Sequence, residues 1–243
     1  MYLHLKTIKN LAVAGTASLL LLPAVAMSDG GARYKVTISN LTAGQPLTPP
    51  VLVTHSNKTS VFGLGEYASE GVRSIAENGD SVPLVTALAG DIYVRHVVEG
   101  TAPIVPAHNP GGTPFDSTAT LTISAGGHAR YLSFVSMLIC TNDGFTGLDS
   151  IRLPARKKTV YVVGYETRTE QNTEDFADIV PPCQGLIGVT SDDAGTGMSD
   201  PLLLEKGIII PHAGVHGGSD LQPSVHDWSD PVAKIVIERI RQH

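Results

Sequence analysis

The sequence predicts an all-β protein, an antiparallel β-sandwich of about eight strands with one or two short helices in its loops. Many short apolar or alternating segments follow one another along the chain. Charged residues make up only 16% of the chain, while 25 glycines and 16 prolines favour short strands and many turns over long helices. The segments also lack the βαβ spacing that is typical of a parallel sheet.

The first 26 residues have the features of a signal peptide. Lys6 and Lys9 give a positive start, residues 11–22 form an apolar core, and residues 24–26 are the small residues of a cleavage site. The apolar core is too short to span a bilayer comfortably. We therefore expect an exported protein, located in the periplasm, outside the cell or on the cell surface.

Residues 27–243 are long enough for one complete β-sandwich domain. Removal of the two lysines in the signal peptide changes the formal net charge from −6 to −8. This charge argues against nucleic acid or an anionic membrane surface as a partner. No segment after the signal peptide is apolar over enough residues to span a membrane.

Patterning predicts the order of the elements. Two short helices are expected at 66–78 and 82–88, with Gly71 weakening the first. The predicted strands are 33–41, 51–54, 92–99, 117–124, 131–139, 148–153, 159–165, 208–210 and 232–240. The first and last strands are well patterned, as expected if they close the edges of the sandwich.

Two of these strands are predicted to form a hairpin. Residues 117–124 alternate between threonines and apolar side chains, and residues 131–139 are apolar at nearly every position. The sequence Ala125-Gly126-Gly127-His128 between them is a turn signal.

Residues 131–170 carry the main candidate site. If the strands 131–139, 148–153 and 159–165 alternate in direction, Asp143, Glu166 and Glu170 lie at the same end of the sheet. Loop carboxylates suit a hard cation such as calcium, which takes oxygen ligands. The alternative is that these acids simply solvate a surface loop, as acids usually do.

The chain has two cysteines, Cys140 and Cys183. An exported protein meets an oxidising compartment, so the two thiols can pair there. A bond between them would enclose the loops with the carboxylates. The alternative of two separate thiols stays open, because sequence does not reveal the distance between them.

The sequence resembles the spondin N-terminal (F-spondin) domain family over about residues 32–240, in its stand-alone bacterial form. The matching stretches are ARYKVTISNLTAGQPLTPP, VTHS at 53–56, GDSVPLV, LSFVSMLICTNDGFTGLDSIRLP and HGGSDLQPSVHDWSDPVAKIVIERI. Their order and spacing carry the resemblance. It implies an eight-stranded, C2-like antiparallel sandwich with a calcium site at one end.

The resemblance also implies the ligands. Asp143 occupies the place of a calcium-binding aspartate before a Gly-Leu-Asp segment. The family run Tyr-Asp-Ala-Gly-Thr-Asp/Glu corresponds here to residues 165–170, so Glu166 and Glu170 take the places of the other two acidic ligands. Glu166 replaces an aspartate, and Arg168 replaces a glycine, which adds a positive charge and restricts the backbone.

Other polar groups offer rival interpretations. His212 and His216 could serve a metal-dependent enzyme or a metal-handling protein, although the glycines around them indicate a turn and no glutamate of the zinc-protease type lies between them. Asp192 and Asp193 with Asp200 resemble a calcium loop only loosely, and a solvated loop is the favoured interpretation.

The sequence as a whole therefore predicts a non-catalytic, calcium-binding adhesion or recognition domain outside the cytoplasm. Its expected partner is an unidentified extracellular or cell-surface ligand, either protein or glycan.

Overall fold

The computed structural model describes residues 31–241. The predicted signal peptide, residues 1–26, lies outside this range. Residues 31–241 contain ten strands: β1 Ala32–Asn40, β2 Val51–His55, β3 Val94–Glu99, β4 Thr118–Ala125, β5 Tyr131–Met137, β6 Gly144–Arg152, β7 Lys157–Val162, β8 Gly164–Glu166, β9 Ile210–Pro211 and β10 Ala233–Ile240.

The strands form two antiparallel sheets, which confirms the predicted β-sandwich. The four-stranded sheet has the order β4-β1-β10-β7, and the six-stranded sheet has the order β3-β2-β5-β6-β8-β9. The sequence led us to expect that the first and last strands close the edges of the sandwich, but they do not. They pair with each other in the middle of the four-stranded sheet, with Val36 opposite Ile237.

The predicted hairpin between 117–124 and 131–139 is wrong. β4 pairs only with β1, whereas β5 pairs with β2 and β6 in the other sheet. The turn does form, with a bridge between Gly126 and Ala129. It carries the chain from one sheet to the other. A turn signal specifies only a reversal of the chain and leaves open which strands pair, so the predicted pairing did not follow from it.

The predicted strand 159–165 is two strands in different sheets. β7 ends at Val162 and pairs with β10, while β8 starts at Gly164 and pairs with β6. At this crossing a side chain on Gly164 would meet the indole ring of Trp228 at about 3.0 Å. The backbone N–H of Gly164 donates to the Asp230 carboxylate at 3.2 Å.

In the described part of the chain, four α-helices and one 3₁₀ turn accompany the sheets: α1 Glu70–Asn78, α2 Val82–Ala89, the 3₁₀ turn Phe176–Asp178, α3 Pro182–Ile187 and α4 Pro223–His226. The predicted helices at 66–78 and 82–88 correspond to α1 and α2. Ser69 caps α1 by accepting the N–H of Val72. Gly71 lets α2 approach closely, because a Cβ there would lie 2.6 Å from the backbone of Leu84.

The six-stranded sheet is covered on both faces. On one face it packs against the four-stranded sheet, and on the other it packs against the helices and the long loop that follows β8. Leu52 of β2 and Phe134 of β5 belong to the first core, whereas Val53 and Val135 belong to the second. This burial on both faces explains why β5 is apolar at nearly every position.

Candidate functional site

The register of β6 and β8 brings the predicted carboxylates to one end of the six-stranded sheet. Gly144 of β6 pairs with Glu166 of β8, so Asp143, one residue before Gly144, lies beside Glu166. The backbone N–H of Thr167 donates to the carbonyl oxygen of Asp143 at 3.2 Å. The expected alternation of strand directions is therefore present, and the loops that follow β5 and β8 meet at this end.

Asp143 is almost fully buried and organises the chain that follows β8. Its Oδ2 accepts three hydrogen bonds: from the Thr167 hydroxyl at 3.0 Å and from the backbone N–H groups of Thr169 at 2.8 Å and Glu170 at 3.2 Å. One carboxylate oxygen thus holds both ends of the segment 167–170. This segment contains the third predicted carboxylate, Glu170.

A fourth carboxylate, Glu77 at the end of α1, faces the same region. Its side chain is only 2% exposed, and its Oε1 lies 3.9 Å from Nε of Arg73 but has no hydrogen-bond partner. Its other oxygen accepts from the Ser199 hydroxyl. The sequence does not indicate Glu77 as a site residue, because a glutamate near the end of a short helix is ordinarily exposed and nothing in the pattern marks it.

The loop after α3 joins Glu77 to Glu170. Ser199 contacts Glu77, and the backbone N–H of the next residue, Asp200, donates to Oε1 of Glu170 at 3.1 Å. Glu170 also forms an isolated β-bridge with Leu204. Three separate parts of the chain therefore meet around these acids.

The electrostatics of this end disfavour its negative charges. Burial raises the pKa of Asp143, against the hydrogen bonds from 167–170, and the charge of Glu77 adds to the rise. Burial raises the pKa of Glu170 to about 7, and the charges of Glu77 and Asp143 contribute. Burial and the charge of Asp143 also raise the pKa of Glu166. A bound cation would relieve this repulsion.

The donor set fits calcium in its chemistry, since it consists of carboxylate oxygens, one of which, Oε1 of Glu77, is buried and accepts no hydrogen bond. The oxygens are not drawn together as closely as around a bound ion. Within residues 31–241, only Asp175, Asp193 and Asp220 bring three such ligand atoms within 4.8 Å of one another. Binding calcium would therefore require the glutamate side chains to move.

Arg168 stands where the family pattern has a glycine, and the structure shows how the chain accommodates it. Its φ is 54°, so it adopts the left-handed conformation that glycine favours. Its guanidinium lies 3.7 Å from the carboxylate of Glu205, and its charge lowers the pKa of Glu166. The backbone geometry of a glycine is thus kept by an arginine, and a positive charge stands beside one of the proposed ligands.

The cluster of Asp175, Asp193 and Asp220 has local structural roles. Asp175 accepts the N–H of Ala177 at 2.9 Å and caps the 3₁₀ turn, and Asp220 accepts the N–H of Phe176 at 3.0 Å. Asp193 is exposed. Among the described residues, Asp192, Asp193 and Asp200 do not form a group of three close ligand atoms, and the carboxylate of Asp200 accepts the N–H of Leu202 at 2.8 Å.

Glu174 anchors the histidine-containing segment. Its buried carboxylate accepts the backbone N–H groups of His216, Gly217 and Gly218 at 2.6, 2.6 and 2.7 Å. Burial alone would raise the pKa of Glu174, but these three bonds outweigh it and the pKa is lowered. The glycines of this segment therefore form a nest for a protein carboxylate.

His212 and His216 do not share the environment of a metal site. His212 is partly buried, accepts the N–H of Gly214 at 3.0 Å and packs edge-on against Trp228 at 4.9 Å between ring centroids. His216 is mostly exposed, and its Nδ1 lies 3.5 Å from Glu174. In the part of the chain that the structure describes, neither histidine belongs to a group of three close ligand atoms.

Cys140 and Cys183 form a disulfide, with their Cα atoms 5.0 Å apart. The bond joins the loop after β5 to α3. The pairing that the sequence left open is therefore present, and it encloses the segment with Asp143, Glu166 and Glu170.

Two packed antiparallel sheets with a group of carboxylates in the loops at one end define this protein as a β-sandwich domain. A model of the Spondin_N family matches residues 47–163. The match confirms the predicted resemblance and assigns this segment to the spondin N-terminal domain family. It includes Asp143 and ends before Glu166 and Glu170. No curated protein matches the chain.

The family is of an extracellular recognition or adhesion type, and the disulfide fits export from the cytoplasm. Among the described residues, no helix has both the length and the apolar character needed to cross a bilayer.

Proposed function

We propose that the protein is an exported, non-catalytic recognition domain that binds calcium at the acidic end of its six-stranded sheet. The observation that supports this proposal is the meeting of Asp143, Glu166 and Glu170 around one pair of loops. Glu77 adds a buried oxygen without a hydrogen-bond partner beside them. Burying several like charges together costs free energy, and a cation offsets that cost.

Calcium would supply positive charge and flexible oxygen coordination, and Asp143, Glu166, Glu170 and Glu77 are the residues that would hold it. Asp143 already positions residues 167–170 through three hydrogen bonds. Glu170 and Glu77 both contact the loop around Ser199 and Asp200. Neutralising these acids would therefore hold that loop more firmly against the sheet.

The same loop presents apolar side chains to solvent. Met198 is 77% exposed and Leu202 is 90% exposed, on either side of the residues that contact Glu77 and Glu170. Exposed apolar side chains on an ordered loop are suited to contact with a partner. In our proposal, calcium orders this loop, and the loop contacts a protein or glycan outside the cytoplasm.

Thermal unfolding of the exported protein tests calcium binding. With the Kd on the order of 10⁻³ M that is typical of extracellular sites, roughly 10 mM calcium should stabilise the fold by about 1.4 kcal/mol relative to chelator. Glu166→Gln, Glu170→Gln and Glu77→Gln should each reduce this stabilisation. Glu205→Gln is the control: it also removes one negative charge, at a residue next to Arg168 that is not a proposed ligand, and it should retain most of the stabilisation by calcium.

An equal melting temperature in calcium and in chelator would contradict the proposed binding of calcium.

Capture of partners from extracellular material, with Met198→Ser/Leu202→Ser as the test variant, tests the recognition loop separately. Calcium-dependent capture that the double variant loses would support the loop as the contact surface.

A further inference from the structure

A basic cleft lies at the end of the six-stranded sheet opposite the acidic loops. It has a volume of about 580 Å³ and is formed by the loop after β2, the start of β3, the β4–β5 turn and the end of β6. Tyr131, at the start of β5, pairs with Arg152 at the end of β6. β5 extends from this cleft towards Asp143 over seven residues, which corresponds to about 20 Å.

The lining of the cleft is positive although the chain has a formal net charge of −6. Its charged side chains are Lys58, Arg130 and Arg152, with His128 beside them, and none of its lining residues is acidic. Within residues 31–241, none of these three cations forms an ion pair. The nearby Asp91 is engaged by Thr59 and by the backbone of Tyr93, each at 2.7 Å.

The basic surface continues beyond this cleft. A second cleft of about 510 Å³ shares Gly127, Arg130 and Arg152 with the first and adds Arg239. The two clefts therefore adjoin at Arg130 and Arg152 beside the β4–β5 turn, and together they are called the basic groove below. A groove of this kind, with cations at intervals, suits a ligand with several negative charges along a chain.

Flat apolar surfaces and small polar groups accompany the charges. Tyr93 and Tyr131 line the first cleft with Ser56 and Asn57, and the Lys58 ammonium lies 5.2 Å from the centre of the Tyr93 ring. Tyrosine rings offer faces on which the C–H surface of a sugar packs, and hydroxyl and amide groups bind sugar hydroxyls. Arginine forks bind carboxylate or sulfate groups.

We propose that this groove binds an acidic polysaccharide, with Arg130 and Arg152 as the principal contacts of its negative groups. The site lies at the opposite end of the sheet from the proposed calcium site, so it does not depend on calcium. A nucleic acid is the less favoured polyanion, because the disulfide fits a protein that is exported from the cytoplasm.

The proposal is tested by titrating the exported protein with hexasaccharides at about 0.1 M salt, where screening suppresses weak long-range attraction. A carboxylated oligogalacturonate and a sulfated heparin hexasaccharide distinguish the two kinds of negative group, and neutral maltohexaose is the uncharged control. At least one charged hexasaccharide should bind, and maltohexaose should not.

Arg130→Gln and Arg152→Gln should each weaken binding about tenfold, as expected for the loss of a charge-assisted hydrogen bond. Lys206→Gln is the matched control, because Lys206 is exposed at the acidic end and the substitution removes the same charge. It should change the affinity less than about twofold. Melting temperatures close to that of the unmodified protein would show that all three variants remain folded.

Equal losses in Lys206→Gln and Arg152→Gln would overturn the proposal, because binding would then follow overall charge. Binding of maltohexaose, or equally tight binding of single-stranded DNA of matched charge, would overturn the assigned ligand class. Binding should be the same in calcium and in chelator. A complete loss in chelator would place the ligand at the acidic end instead, whereas failure of the calcium proposal alone would leave this site unaffected.

Discussion

The backbone N–H of Thr169 donates to Oδ2 of Asp143 at 2.8 Å, and this bond ties the chain after β8 to the loop after β5. The same oxygen accepts the N–H of Glu170 and the hydroxyl of Thr167. Asp143 is therefore a structural anchor as well as a proposed calcium ligand, and the two roles can be separated by experiment.

Asp143→Ala should destabilise the protein even in chelator. The substitution leaves two backbone N–H groups and one hydroxyl without their partner near the buried end of the sheet. Loss of such charge-assisted bonds should lower the free energy of unfolding by about 2–4 kcal/mol. Urea denaturation in chelator measures this loss, and Asp192→Ala, at an exposed aspartate of a nearby loop, is the control. Equal stability of the two variants would contradict the anchoring role.

The disulfide makes a second, independent prediction. The bond between Cys140 and Cys183 spans 43 residues, so the chain-entropy model gives a loss of about 4 kcal/mol when the bond is broken. Thermal unfolding with and without a reductant should show this loss in the melting temperature. A Cys140→Ala/Cys183→Ala variant should be less stable throughout and should not respond to reductant. A response of that variant would show that the reductant acts elsewhere.

Much of the fold was predictable because local patterning is strong. β4 alternates threonines with apolar residues, whereas β5 is mostly apolar and nearly all buried, and both are strands as predicted. The difference between these two patterns also argues against the predicted hairpin. β4 is an edge strand with one solvated face, whereas β5 is central in a sheet covered on both faces. Two strands with such different patterns belong to different environments.

The site was predictable in part for the same reason. Alternating strand directions correctly placed Asp143 and Glu166 together, since direction follows from the order of the strands. The split at Val163 was not predictable, because the apolar pattern continues through the crossing from one sheet to the other. Glu77 was also missed, because its burial results from the packing of α1 and the loop around Ser199.

His212 predicts how stability depends on pH. Burial, with a contribution from the charge of His216, lowers the pKa of His212 to about 4, although the charges of Asp227 and Glu174 oppose the shift. The unfolded chain binds this proton near pH 6.5, whereas the folded protein binds it only near pH 4. Between these values the unfolded state holds more protons, so stability falls as the pH is lowered through this window.

The contribution of His212 to this fall should be on the order of 3 kcal/mol. His212→Gln keeps an acceptor for the N–H of Gly214 and removes the titrating group, so it should flatten the pH dependence. Urea midpoints at intervals from pH 4 to pH 7 measure the effect. His216→Gln, at a mostly exposed histidine, should leave the slope close to that of the unmodified protein, and the reverse result would assign the titration to His216.

Arg168 predicts how the proposed calcium site could be strengthened. Its φ of 54° is unfavourable for an arginine and costs glycine little. Its ion pair with Glu205 is at the surface, where such pairs contribute little. Arg168→Gly should therefore leave the free energy of unfolding within about 1 kcal/mol of the original in chelator, since relief of the backbone offsets the added freedom of the unfolded chain.

Calcium affinity should respond more clearly than stability. The guanidinium stabilises the ionised form of Glu166 but also repels a bound cation, and we expect the repulsion of a doubly charged ion to be the larger effect. Arg168→Gly and Arg168→Gln both remove the charge, so both should raise the affinity by roughly threefold to tenfold, which corresponds to about 1 kcal/mol of electrostatic free energy. Only the glycine variant relieves the backbone, so a further gain in that variant measures the effect of geometry. Calorimetric titration with calcium gives both comparisons. Weaker binding in both variants would mean that Arg168 supports the loop that holds Glu166 and Glu170, and that its charge is not an obstacle to the metal.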